Sequence, residues 1–382
     1  MEDDHAAGSA PSFFAEHAVV VEMLTRFGDR LPKNPNTLVD DVGLRSDLRR
    51  FESICTYYQE TPQLIKPHMA TIMPPLVALL LDRLPSAEAA TAAVALWEGE
   101  QGGGHGGGVE ALASFRGGVS ARLGANYDQY DEDAVRSSLH VASRLVYLMA
   151  KVVGYKTVST HLPNEVKHVE RVFYSLLLWR RDPEKHREWE VRYCLLMWLG
   201  TLVLVPFSLE IIDSLVSVGP QPLSTTSPSA AVAPSTHAGE KHHDGLSDKI
   251  LAAATALLDD PSKCREAAAL LIGRLLTRPD AQALRRRFLD HAAANVQSAL
   301  ASKLSPHVQW GGVLLAVATM LKLGKREEFV TTQTAAFAGA LSPVALSSPD
   351  AYVCKTAVKA VQRLGLVFLP QALSQWRTAV AW

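Results

Sequence analysis

Apolar positions recur at steps of three and four wherever the chain shows a clear pattern. Leu48, Phe51, Cys55 and Tyr58 form one such stripe, with Arg49, Arg50 and Glu52 off its face. Val135, Leu139, Ala142, Val146, Met149 and Val153 continue the same spacing further on. Near the end, Val353, Ala357, Val361, Leu364 and Phe368 align, and Lys355, Lys359 and Arg363 form a basic stripe beside them. A period near 3.6 marks amphipathic helices, and no convincing run alternates as a half-buried strand would. The pattern predicts an all-α protein. The stretch Cys194–Phe207 is almost wholly apolar, but it is short of the roughly 18 residues that suggest a membrane span. Gly200 and Pro206 interrupt it, and Glu188, Glu190 and Arg192 stand just upstream. A helix buried on all sides is the expectation there.

Helix starts add an order to this picture. Asp260-Pro261, Ser305-Pro306 and Ser348-Pro349 each place a capping side chain before a proline. The cap oxygen accepts an orphan N–H, and proline in the first helical position loses no bond it would have made. The three prolines are 45 and 43 residues apart, inside the roughly 40–47-residue period of HEAT and armadillo repeats. Arg278-Pro279-Asp280 breaks the chain between the first two, as the turn between paired helices should.

Two biased stretches interrupt the helical pattern. Residues 99–108 read GEQGGGHGGG, and the irregular composition runs to about Asp131. Residues 220–245 are rich in Pro, Ser, Thr and Ala and include His237, His242 and His243. Neither stretch has enough apolar surface to offset its ordering entropy. The expected organisation is a disordered leader over 1–12, helical repeats over 13–98 and a Gly-rich insert over 99–131. Helical repeats over 132–219, a Pro/Ser-rich loop over 220–245 and HEAT-like repeats over 246–382 complete it.

Composition narrows the function classes. The 382 residues are 48% hydrophobic and 20% charged, too long for one compact core and suited to an extended repeat. A net charge of −1 lacks the basic footprint of a nucleic-acid binder. Cys55, Cys194, Cys264 and Cys354 have no metal or disulfide spacing and read as buried thiols of a reducing compartment. The acidic N-terminus MEDDHAAGSAP lacks the basic flank and apolar run of a secretory signal.

Candidate chemistry is sparse. The glycine cluster lacks the Lys-Ser/Thr of a phosphate loop, as does Gly324-Lys325-Arg326. His237, His242 and His243 have no preorganised ligand set around them, and His161 and His168 read as helix-surface side chains. Asp128, Asp131, Glu132 and Asp133 suit a helix start, where carboxylates meet the positive end of the dipole. No nucleophile elbow or paired-histidine zinc motif is present. Expected catalytic, cofactor and metal residues are therefore none. The Lys355, Lys359 and Arg363 stripe and the Arg285-Arg286-Arg287 run read as exposed basic surface, of the kind a solenoid offers to an acidic partner.

Several blocks carry a family resemblance. They are FESICTYYQETPQLIKPHM (51–69), LMAKVVGYKTVSTHLPNEV (148–166), WEVRYCLLMWLGTLVLVPF (189–207), CREAAALLIGRLLTRPD (264–280), GKREEF (324–329) and VKAVQRLGLVFLPQALSQWR (358–377). In content and order they resemble the N-terminal portion of the tubulin-folding cofactor D family of HEAT-type chaperones. Both biased stretches are longer than that family's, and Ser208 stands where the family has Asp, altering a helix cap. The family's chains are much longer, so the expectation is an array truncated relative to them.

The resemblance implies a chaperone that binds β-tubulin and joins it to α-tubulin carried by cofactor E. With cofactor C it stimulates GTP hydrolysis by tubulin, and an Arf-like small GTPase is a further implied partner. The implied setting is the cytoplasm, with microtubule or centrosome association and neither nucleic acid nor membrane insertion. Lys151, Tyr155 and Lys156, flanking Gly154 in the VGYKT block, are the candidate partner-binding residues, since Tyr and basic side chains suit a wet interface. Helix termination by Gly154 is the competing reading of that block. Two other functions stay open: a generic HEAT scaffold or transport adaptor, and a GTPase activator that inserts an arginine into its partner.

Overall fold

The computed structural model describes residues 13–86, 88–90, 136–181, 185, 187–212, 245–301, 308–332, 334–335, 337–339, 341 and 350–369. The expected leader, the Gly-rich insert and nearly all of the Pro/Ser-rich loop lie outside the described residues, as do Val135, His237, His242, His243, Ser305-Pro306 and the acidic cluster at 128–133. Among the described residues the fold is all-α, with one isolated antiparallel bridge between Leu38 and Ser137. Helices α1 (His17–Arg30), α2 (Val42–Tyr57) and α3 (Met69–Arg83) come first. Next are α4 (Ser138–Val153), α5 (Tyr155–Ser159), α6 (His168–Arg181) and α7 (Trp189–Leu202). Then follow α8 (Leu246–Thr255), α9 (Cys264–Leu276), α10 (Gln282–Ala301), α11 (Val308–Leu323) and α12 (Ala351–Phe368).

These helices stack as a solenoid. One row runs α1, α3, α4, α7, α9, α11, α12, each helix packed against the next. Helices α6, α8 and α10 flank the row, each against the row helix that follows it in sequence, and α2 lies against α1 and α4. Contact is therefore nearest-neighbour, as a repeat array requires. Row helices lie between two neighbours and a flank, which is why α4 and α7 are buried nearly all round. In α7 Val191, Cys194, Leu195, Leu196, Trp198 and Leu199 are all buried. The helix runs through Gly200 and stops at Leu202, five residues before the end of the apolar stretch, and Leu204 and Phe207 are exposed.

The run Pro62–Arg83 is long and apolar enough to cross a membrane by length and composition. Its α-helical part is a core helix, with Met69, Ile72, Met73, Leu76, Leu79 and Leu80 buried. Pro74 and Pro75 lie inside it and deprive the carbonyls of Ala70 and Thr71 of their i+4 donors. Both of those residues are exposed, where water can serve instead.

Helix starts follow a different chemistry from the Ser/Asp-Pro reading. Helices α9, α11 and α12 begin at Cys264, Val308 and Ala351, 44 and 43 residues apart, so the period holds. Pro261, however, is not in the first turn of α9. Asp260 Oδ1 accepts from the Ser262 amide at 2.8 Å, and Ser262 Oγ then accepts from Cys264 N at 3.2 Å, a relay two residues ahead of the helix. For α12 the cap is Asp350, which accepts from the amides of Tyr352 and Val353; Ser348-Pro349 lies outside the described residues and before that cap. Ser208 does cap a short 3-10 turn, Leu209–Ile211.

Arginines fasten the row at its helix ends. The last carbonyls of a helix have no internal donor, and three row helices receive theirs from a following unit. Arg83 of α3 reaches the carbonyls of Gly28, Leu31 and Pro32 at the end of α1, the Leu31 contact being 2.6 Å. Arg171 of α6 holds Leu81, Leu84 and Pro85 at the end of α3, each at 2.8 Å. Arg278, beyond α9, holds Val203, Val205 and Phe207 beyond α7 at 2.6, 2.9 and 2.7 Å.

Between α4 and α7 the core is ionic. Glu190 is fully buried, bonded to His140 at 3.0 Å and to Arg144, whose other arm reaches Glu52 of α2 at 2.6 Å. Burial pushes the Glu190 carboxyl up, but His140 and Arg144 outweigh it and hold the pKa below the ordinary glutamate value. Two residues earlier, buried Glu188 accepts from Ser137 N, Ser137 Oγ and Trp179 Nε1 at 2.8, 2.7 and 3.0 Å. Cys55, Cys194 and Cys264 are buried among these helices. Burial raises all three thiols, Cys55 to about 12, so they are unreactive in the folded chain.

Candidate partner-binding surface

Gly154 separates α4 from α5 with φ +88°. A side chain there would be strained, so glycine is required by the turn itself. Lys151 in the last turn of α4 and Lys156 in α5 are exposed on either side of it, and Tyr155 is half-buried with its ring against the core. The turn thus presents two ammonium groups and one tyrosine edge together. Helix termination explains Gly154, and exposure of Lys151 and Lys156 is ordinary for lysines at such a turn.

The basic runs divide on inspection. Lys355 and Lys359 of α12 are exposed and Arg363 is half-exposed. Of the apolar stripe beside them, Val353, Ala357 and Leu364 are buried, but Val361 and Phe368 are 37% and 44% exposed. The buried face is Val353, Thr356, Ala357, Ala360, Leu364 and Val367. In the Arg285–Arg287 run the expected exposed surface is corrected: Arg285 is only 5% exposed. Its Nη1 donates to Glu328 at 2.7 Å, and its guanidinium lies over the Phe329 ring at 5.0 Å. Arg287 is paired with Asp248, while Arg286 is exposed. Adjacent residues on a helix point 100° apart, so three consecutive arginines cannot share one face.

His168 is a second correction. It is buried beside Trp198, with ring centroids 5.6 Å apart, and burial lowers its pKa. The sequence pattern reveals neither the arginine clamps nor the Glu190 network; it marks Glu188, Glu190 and Arg192 only as charges just upstream of the apolar stretch, and the structure buries all three. Among the described residues no group of three or more His, Cys, Asp or Glu side chains could hold a metal ion.

The fold defines an all-α helical-repeat array of the armadillo type. Within that class, residues 120–296 match the family model of the tubulin-specific chaperone D-like ARM repeat, so that part of the chain is similar to those chaperones. It is 25% identical over 203 residues to tubulin-specific chaperone D of Dictyostelium discoideum, covering 50% of this chain and 13% of that one. Against tubulin-folding cofactor D of Schizosaccharomyces pombe it is 22% identical over 241 residues, covering 62% of this chain and 18% of that one. The chain thus spans less than a fifth of the length of these relatives in the matched region.

Proposed function

We propose that this chain acts in tubulin folding as a binding scaffold, holding β-tubulin during assembly of the αβ heterodimer. The observation that carries this reading is the family match over residues 120–296, which lies across the α4–α10 part of the row. A nearest-neighbour array suits the task, because it can flex about a partner that must later leave without breaking its own core. In this reading the chain performs no chemical step itself. GTP hydrolysis belongs to tubulin and is stimulated jointly with cofactor C, cofactor E brings α-tubulin, an Arf-like small GTPase joins the assembly, and the work is done in the cytoplasm. Lys151, Tyr155 and Lys156 form part of the contact.

A retention assay tests the proposal: the 382-residue chain is immobilised and offered purified αβ-tubulin beside an unrelated helical-repeat control. Tubulin retained above the control, and reduced by joint alanine substitution of Lys151, Tyr155 and Lys156, is the expected result. Retention equal to the control overturns the reading.

A further inference from the structure

Arg285 has a use beyond its bond to Glu328. It lines a cleft of about 190 Å³ with Gln282, Arg286, Glu328, Thr331 and Thr334. Gln282, Arg285 and Arg286 come from one side of α10, at i, i+3 and i+4. The opposite wall is the 3-10 turn Arg326–Phe329 and the residues that follow it. Although Arg285 is almost wholly buried, its Nε and Nη2 have no hydrogen-bond partner. Those two atoms form one edge of the guanidinium, the edge that takes a carboxylate with two parallel bonds. Two arginines among the described residues use this edge on a carboxylate. Arg26 grips Asp47 through Nε and Nη2 at 2.8 Å each, and Arg278 grips Asp280 through the same pair at 2.9 and 2.7 Å. In Arg285 the edge is held in place by Glu328 on Nη1 and by the Phe329 ring on its face.

We propose that this cleft recognises a carboxylate side chain on an acidic segment of a partner protein. Two arginines against one glutamate leave the cleft with a single net positive charge. That balance suits a monoanionic carboxylate, whereas Glu328 repels a phosphate dianion. Size points the same way: 190 Å³ accommodates an acidic side chain but falls below the roughly 300–1,000 Å³ of small-molecule and nucleotide pockets. Arg286 and Thr331 are exposed at the mouth, where a polypeptide can approach. The inference deepens the tubulin-binding reading and rests on it only for the identity of the partner.

Fluorescence anisotropy of a labelled ten-residue polyglutamate peptide, titrated with the 382-residue chain, tests it. Binding should weaken as salt rises. Arg286→Glu, at an exposed position, should weaken it about tenfold. Arg285→Lys keeps the charge but loses the Nε/Nη2 edge, and should weaken it about fivefold. Glu328→Gln keeps an acceptor for Nη1 while removing the competing charge, and should tighten binding about threefold; a purely structural role for Arg285 would not produce that gain. Circular dichroism on each variant confirms the fold. Absence of peptide binding, binding unchanged by Arg286→Glu, or binding of inorganic phosphate in place of the peptide would each overturn the proposal. Tubulin retention is measured on the same variants. Peptide binding that depends on Arg285 without tubulin retention sinks the tubulin reading and keeps the cleft; tubulin retention without peptide binding does the reverse.

Discussion

Where α1, α3 and α4 meet, polar groups fasten the row, whereas between α9 and α11 the helices approach through the lack of a side chain. At the first junction Ser138 Oγ donates to the Pro32 carbonyl, Arg83 gathers the carbonyls of Gly28, Leu31 and Pro32 at the end of α1, and the 37–39 and 136–138 backbones exchange bonds at 2.8 and 2.9 Å. At the second, a Cβ on Gly273 would sit 2.8 Å from Thr319 Cγ2 and 3.2 Å from the Met320 nitrogen. Gly312 of α11 meets the backbone of Leu258 more closely still. Gly273 and Gly312 thus bring backbones together among the regularly spaced helices, and polar groups fasten the junction around α1, α3 and α4. Directional bonds fix register where segment length varies, and small residues suffice where the geometry recurs. Each junction type has its own weak point.

The polar half should break hardest at Glu190. Glu190→Ala leaves Arg144 and His140 buried without their shared acceptor, and removing one partner of a buried ion pair costs about 3–5 kcal/mol. Hydrogen exchange should quicken in α4 and α7 and stay unchanged in α12. Because the folded carboxyl lies below its ordinary value of 4.5, the stabilisation is fully present above that pH. It is lost as pH falls through the depressed folded value. The gap in urea midpoint between wild type and variant should therefore narrow below about pH 4.5. A gap that widens with acid would contradict the assignment.

The small-residue half should break at Gly312→Ala. The added Cβ would stand 2.1 Å from the Leu258 carbonyl oxygen and 2.8 Å from its carbon, and backbone has no rotamer with which to yield. Overpacking of this kind costs about 2–3 kcal/mol. Exchange should quicken in α9 and α11, with α1 and α3 unaffected, which is the mirror of the Glu190 result. Arg278→Met gives a smaller loss that links the halves, since the clamp is common to both. It strips three carbonyls of their donor at a partly buried site, costing about 2 kcal/mol and freeing the 203–207 turn to exchange.

How far the sequence could carry this comparison follows from the range of each interaction. Phe51, Cys55 and Tyr58 are buried as their spacing predicts, and Arg49 and Arg50 are exposed; one helix face is a local property. The repeat period survived because helix starts recur, even though the capping chemistry at Asp260 and Asp350 differs from Ser/Asp-Pro. Glu190 pairs with residues 46 and 50 positions away, and Arg171 with carbonyls 86–90 away. No local pattern encodes such partners. Arg285 was misplaced because adjacency in sequence is not adjacency on a helix surface, and Val361 because the burial face of α12 turns through Ala360 and Leu364 instead. Lys151 and Lys156 were singled out by their place beside Gly154 in the VGYKT block; that Gly154 has a positive φ is visible only in the structure.

The smallest effect has the opposite sign and sharpens the distinction among glycines. Gly365 lies inside α12, is exposed, and a Cβ there would meet nothing within 4 Å. It contributes no close approach and no positive φ, so only its conformational freedom remains, which opposes the helix. Gly365→Ala should therefore stabilise by about 1 kcal/mol, read as a higher urea midpoint with slower exchange confined to α12. In the same helical row, one methyl group at Gly312 should destabilise and one at Gly365 should stabilise. Equal signs at the two positions would mean that backbone contact, and not glycine's entropy, had been wrongly credited with holding α11 in place.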